Sequence, residues 1–236
     1  MRGGRIAELM FPAGTPVVIV NYKAYPGCVG KRAVDFTKAL ERAAGGKRVT
    51  LAVAPQAADL MRVAQSASAA IVLAQHVDPL VPGNGTGSTL PEAVAEAGAK
   101  GSLVNHAERR VTLADIDASV ARLRALGLAS VVCTNNASAT RGAAALRPDF
   151  VAIEPPELIG GKVSVTSADP EIVRAAVKVA KEAHRDVRVL CGAGVKTGDD
   201  LAMALKLGAD GVLMASAITT VADPGAALAE LLRGLP

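Results

Sequence analysis

Residues 150–162 read Phe150-Val151-Ala152-Ile153-Glu154-Pro155-Pro156-Glu157-Leu158-Ile159-Gly160-Gly161-Lys162. Four apolar residues run without polar alternation and stop at a carboxylate. Such a run is a strand buried on both faces, the pattern of a parallel sheet covered by helices. Two prolines and then two glycines follow, which is loop chemistry. One strand thus delivers one acidic side chain to the place where strand gives way to loop.

Outward from this stretch the same unit recurs. Short apolar runs lie at 17–20, 49–53, 71–73, 102–104, 130–132, 187–190 and 211–214, which with 150–153 makes eight candidate strands. Segments of helical period separate them. In 171–184, Ile172, Val173, Ala176, Val177 and Ala180 form one apolar stripe, with Arg174, Lys178, Lys181 and Glu182 outside it. Other helices are expected near 30–43, 57–66, 91–98, 113–126, 137–145, 198–207 and 225–233. Asp169-Pro170 and Asp223-Pro224 read as an N-cap followed by a first-turn proline, and Thr89 with Glu92 as a capping box.

Strands alternating with helices, and no linker of biased composition, predict a single α/β domain. The chain has 236 residues, close to the ~250 typical of a closed eight-stranded parallel (β/α)8 barrel. A doubly wound open sheet is the competing architecture, and eight near-regular units favour closure. The barrel is expected over 17–236. Residues 1–16 read as an N-terminal extension open to disorder, and Met10 offers an alternative start that would make most of it dispensable.

Composition narrows the function classes. Half of the residues are hydrophobic, yet there are two Tyr, three Phe and no Trp, so the core must be filled by small and branched side chains. The net charge of +4 comes from scattered basic residues, and the aromatics that would stack bases are missing, which argues against a nucleic-acid partner. A mild positive field suits an anionic small substrate. Three widely spaced cysteines, Cys28, Cys133 and Cys191, form no disulfide framework or zinc knuckle and fit a reducing cytoplasm. No run approaches the ~20 apolar residues of a membrane span, and residues 1–16 lack the apolar run of a signal peptide.

In a barrel the active site forms where strands end. Asn21 and Lys23 follow the first run, Asn105-His106-Ala107-Glu108 the fourth, Glu154 the sixth, Cys191-Gly192-Ala193-Gly194 the seventh and Ala215-Ser216 the eighth. An amine, an imidazole, a carboxylate and two small-residue turns therefore converge on one mouth. The last two turns stand where such barrels commonly hold a phosphate on backbone N–H groups.

Asn21-Tyr22-Lys23, Asn105-His106-Ala107-Glu108-Arg109-Arg110 and Ile153-Glu154-Pro155-Pro156-Glu157-Leu158-Ile159-Gly160 together resemble the triosephosphate isomerase family. Its shorter archaeal form is similar also in Ala54-Pro55-Gln56, Gln75-His76-Val77-Asp78-Pro79 and Leu190-Cys191-Gly192-Ala193-Gly194. The likeness runs in order from about Pro16 to the C-terminus and implies the TIM-barrel fold. It implies cofactor-free isomerisation of dihydroxyacetone phosphate and glyceraldehyde 3-phosphate, a step of glycolysis and gluconeogenesis. Glu154 would be the proton-shuttling base, His106 a neutral imidazole polarising the carbonyl, and Lys23 the cation at the enediolate oxygen. Asn21 would orient Lys23 or the substrate. This family is itself a standard example of a glutamate base beside a neutral histidine, so that pairing is inherited from the resemblance.

The resemblance also implies that Gly160, Gly194, Ala215 and Ser216 hold the phosphate through backbone amides. The segment after Glu154 would be a lid hinged at Pro155-Pro156 and Gly160-Gly161. Thr86-Gly87 would reach into a neighbouring subunit within a homotetramer built from dimers. Two departures stand out. Ala107 replaces the usual Ser, removing a hydroxyl near the base, and the lid lacks the Trp of the longer enzymes.

Other readings of the residues stay open at this point. Lys23 with Glu108 would also serve as a structural ion pair, and His106 as a buried core histidine. His76, Asp78, His106 and Glu154 together would suit a metal-dependent epimerase or aldolase barrel. A silent phosphate-binding scaffold is a third reading, which the full set of Asn21, Lys23, His106 and Glu154 disfavours. His76 is expected to shape a subunit-contact loop, and Cys191 to be a packed core residue.

Overall fold

A computed structural model of the chain describes residues 9–155 and 170–236. The strands are β1 (Val17–Asn21), β2 (Thr50–Ala54), β3 (Ile71–Val72), β4 (Gly101–Val104), β5 (Ala129–Thr134), β6 (Phe150–Ile153), β7 (Arg188–Cys191) and β8 (Gly211–Met214). All pair in parallel, in the order β3-β2-β1-β8-β7-β6-β5-β4. The two ends of that order meet: Ala74 bridges to Ser102, and Lys100 N–H donates to Val72 O at 2.7 Å. The sheet therefore closes into the expected barrel. β3 is the shortest strand, so its seam with β4 is carried largely by residues just outside it.

Helices return the chain along the outside: α1 (Lys31–Ala44), α2 (Leu60–Ser66), α3 (Pro91–Glu96), α4 (Leu113–Ala125), α5 (Ala137–Ala145), α6 (Pro170–Ala183), α7 (Gly198–Lys206), a short α8 (Ser216–Thr219) and α9 (Pro224–Leu231). The stripe expected on α6 is present, with Val173, Ala176 and Ala180 buried and Ile172 and Val177 packed against the core beside them. Asp223 caps α9 through the Ala226 N–H, while the expected cap Asp169 lies outside the described residues. The Thr89–Glu92 capping box does not form. Pro91 occupies the first turn of α3 with Leu90 as N-cap, the Thr89 N–H is taken by Asp78 Oδ2 at 2.6 Å, and Glu92 pairs with Arg122. Capping boxes occur instead at Thr112–Asp115 on α4 and Thr197–Asp200 on α7. Among the described residues no helix is long and apolar enough to cross a membrane.

Side-chain parity divides the core in two. Val17 and Ile19, Val131 and Cys133, and Phe150 and Ala152 point into the barrel. Val18, Val20, Val132 and Val151 point outward to the helices. With a period of two, the inward set continues past the strand ends to Asn21 on β1 and Glu154 after β6. The barrel interior is thus a packed plug of small, branched and aromatic residues, with Asn21 and Glu154 at its upper rim and Arg188 at its floor. At the opposite end the interior is sealed by Phe11, which meets the Phe150 ring edge-on at a centroid distance of 5.0 Å. Residues 9–16 of the expected extension thus include a buried side chain that belongs to the barrel core.

Candidate active site

Lys23 is held in an unusual conformation. Its φ is +47°, a left-handed value that side chains with a Cβ adopt rarely and at a cost of about 1 kcal/mol or more. Three side chains hold it there. Asn21 Oδ1 accepts the Lys23 N–H at 3.0 Å, and the Lys23 carbonyl accepts from Gln56 Nε2 at 2.9 Å and Gln75 Nε2 at 3.0 Å. These groups come from the ends of β1, β2 and β3, so three strands fix one lysine. Its ammonium donates to Glu108 Oε1 at 3.0 Å.

His106 follows β4 and is 7% exposed. The Glu108 N–H donates to its Nδ1 at 3.2 Å. An Nδ1 that accepts carries no proton, so the neutral ring bears its hydrogen on Nε2. Burial, and then the nearby Lys23 cation, hold its pKa below the ordinary histidine value. The ring is therefore a neutral donor with Nε2 facing the barrel mouth, 3.6 Å from Glu154 Oε1.

Glu154 is 4% exposed. Its own N–H is bound to Thr134 O at 2.7 Å, which anchors the backbone to β5. Burial is the main cause that lifts its carboxyl to a pKa of about 7, with the Cys133 thiol and the Lys23 charge offsetting part of that effect. A carboxylate raised this far is half-ionised near neutrality and is a stronger base than a solvated one. Space for its side chain comes from Gly192 after β7: a Cβ there would stand 2.4 Å from Glu154 Cγ.

Asn21, Lys23, His106 and Glu154 line one cleft with Gly194, Ala215 and Ser216. Gly194 has φ +70°, open to glycine without strain. A second cleft adjoins it on the β2–β4 side, sharing Asn21, Lys23 and His106 and continuing to Gln75, His76 and Arg109. The structure thus brings together every expected site residue among those it describes. Gly160 and the lid segment 156–162 lie outside the described residues. Two contributors were not anticipated individually, Gln56 and Gln75. Their position just past β2 and β3 was a signal, but a glutamine there has no chemistry of its own to draw attention. Gly192 as the space for Glu154 was also missed.

The other candidates resolve differently. His76 Nε2 pairs with Asp78 Oδ1 at 3.0 Å, and Asp78 also takes the Thr89 N–H, so the pair ties down the loop after β3. The proposed set His76, Asp78, His106 and Glu154 is split between this pair and the cleft, and no cluster of three metal-ligating side chains occurs among the described residues. Cys28, Cys133 and Cys191 are free and buried. Burial pushes the Cys191 thiol up to about 12, so it is a core residue and not a nucleophile.

A closed barrel whose mouth sets a raised carboxylate beside a neutral imidazole and a fixed lysine defines an enzyme that moves protons on a small anionic substrate. The family model for triosephosphate isomerase matches residues 16–233. The chain is 52% identical to "Triosephosphate isomerase" of Archaeoglobus fulgidus, over 91% of its own length and 96% of that protein's. It is 47% identical to the protein of that name from Methanosarcina mazei, over 93% and 99%, and 50% identical to that from Methanobacterium bryantii, over 92% and 96%. The chain belongs to the triosephosphate isomerase family, and it is an isomerase.

Proposed function

We propose that the chain interconverts dihydroxyacetone phosphate and D-glyceraldehyde 3-phosphate by moving one proton between adjacent carbons, in glycolysis and gluconeogenesis. The observation that carries this reading is the 3.6 Å approach of a raised Glu154 to the Nε2 of a neutral His106. Glu154 removes the proton from the carbon beside the carbonyl. The His106 Nε2–H donates to the carbonyl oxygen, and the Lys23 ammonium stabilises the charge that develops there. Glu154 then returns the proton to the neighbouring carbon, while the hydroxyl on the first carbon gives up its proton to His106 Nε2, replacing the one passed to the former carbonyl oxygen, so atoms and charge balance without a cofactor. Asn21 acts on Lys23 through the backbone.

The phosphate sits at the small-residue end of the cleft, on backbone amides of Gly194, Ala215 and Ser216, with Gly160 as a fourth donor. The enzyme works in the cytoplasm as a homotetramer built from dimers, with Thr86-Gly87 of the exposed 83–87 loop entering a neighbour's cleft on the side of Gln75 and His76. Sedimentation of the purified chain tests the assembly, and a monomer would refute it.

A coupled assay on wild type and Glu154→Asp tests the chemistry. Wild-type turnover with a loss of about 10²-fold or more in the variant is expected, since shortening the base by one methylene misplaces it by about 1 Å. An undiminished variant would remove Glu154 from the role of base. Full turnover after exhaustive chelation separates this reading from a metal-dependent epimerase.

A further inference from the structure

Asn105, between β4 and His106, also has a left-handed backbone, with φ +60°. Asparagine tolerates that region better than most residues, and glycine would tolerate it better still. The side chain does more than permit the turn. Its Nδ2 donates to the Cys133 carbonyl on β5 at 2.9 Å, and its Oδ1 accepts the Val111 N–H at 3.0 Å. Only one orientation of the amide satisfies both partners.

These contacts lie on a path between the two central groups of the site. His106 follows β4 and Glu154 follows β6, and β5 lies between those strands. On one side Asn105 ties the peptide preceding His106 to Cys133. On the other, Thr134, the next residue of β5, accepts the Glu154 N–H at 2.7 Å. The bond to Val111 draws in the far end of the 105–111 loop, within which Arg109 N–H binds His106 O at 2.8 Å and Glu108 N–H binds the imidazole.

We infer that Asn105 is a positioning residue that sets the spacing of His106 from Glu154 by clamping the His106 loop to the end of β5. This rests on the reading of His106 as the electrophile.

Asn105→Gly keeps the left-handed turn and removes both bonds, so it separates the clamp from the backbone requirement. Asn105→Asp keeps the turn and the acceptor for Val111, but sets a carboxylate oxygen against the Cys133 carbonyl. Steady-state isomerase kinetics and competitive inhibition by inorganic phosphate are measured on both, with His106→Gln alongside. Expected for each Asn105 variant is a fall in kcat of about tenfold to a hundredfold, with KM and the phosphate inhibition constant within about twofold, because the phosphate end is untouched. A kcat within about twofold of wild type in either variant overturns the inference while leaving the electrophile reading intact, provided His106→Gln is severely impaired. A proportional loss of phosphate binding, kcat and folded protein also overturns it, because the role is then structural only. If His106→Gln keeps wild-type kcat, the electrophile reading fails and this inference falls with it.

Discussion

His106 Nε2 lies 3.6 Å from Glu154 Oε1, and the two groups meet with neither in its ordinary solution state. The imidazole is held neutral and the carboxyl is lifted to about 7. Such a pair cannot be a simple salt bridge, because a charged histidine would pull the carboxyl down rather than coexist with a raised one. A carbon-detected NMR titration of the free enzyme should place the Glu154 midpoint near 7. A midpoint at the ordinary 4.5 would contradict the desolvated base.

The same shift is a statement about stability. Between about pH 4.5 and pH 7 the folded chain holds the Glu154 proton more firmly than the unfolded chain does. Its stability must therefore fall as pH rises through that window. Above pH 7 the cost of the buried charge is about 3 kcal/mol. Glu154→Gln removes that cost. Its melting temperature should exceed that of wild type at pH 8, with the advantage shrinking on acidification and gone below pH 4.5. A variant that melts lower than wild type at pH 8 would show that the ionised carboxylate is stabilised in the fold.

Gly192 gives this carboxyl its room. A Cβ at that position would stand 2.4 Å from Glu154 Cγ and 3.1 Å from Ile153 O, and the second contact is backbone that cannot swing away. The side chain of Glu154 must move instead. Gly192→Ala should fold and lose about a hundredfold in kcat, with little change in phosphate inhibition. Near-normal turnover would mean that Glu154 works from a different rotamer.

Much of this was legible from strand endings. The end of each apolar run places Asn21, Lys23, His106 and Glu154 at the mouth, whereas which parity faces inward is set by packing, with Phe150 and Ala152 filling the barrel and Val151 facing the helices. Other parts were not, for physical reasons. Gln56 and Gln75 matter through a carbonyl 33 and 52 residues from the bond in question, and no local pattern encodes that meeting. The Thr89–Glu92 signature was real as a spacing, but Asp78 and Arg122 captured its two members through tertiary contacts. Thr112–Asp115 and Thr197–Asp200 carried the Asp variant of the box and were passed over.

The two glutamines make a testable clamp. Both donate to the strained Lys23 carbonyl at once, and either alone keeps that oxygen hydrogen-bonded, so single changes should be mild and the double change severe. Gln56→Leu and Gln75→Leu are each expected to reduce kcat/KM several-fold, and the pair by about a hundredfold or more, a coupling of order 1 kcal/mol or greater. Strict additivity would mean that the left-handed lysine holds itself, with Asn21 sufficient.

At the other end of the barrel, Arg188 joins three elements. Its guanidinium lies 4.8 Å from the centre of the Phe150 ring and donates to Phe11 O at 2.9 Å and Thr15 O at 3.1 Å. The segment before β1 is thereby stapled across the floor, with Phe11 only 3% exposed. Phe11→Ala would open a void beneath Phe150 and cost about 3 kcal/mol, lowering the melting temperature by roughly 6 to 12 °C for a chain of this size. Because the substrate mouth lies at the opposite face, kcat and KM at 25 °C should stay within about twofold. Deletion through Met10 leaves Phe11 and should lose far less stability than deletion through Pro12. Equal melting of the two truncations would remove Phe11 from the core and leave Arg188 as the sole fastening of the floor.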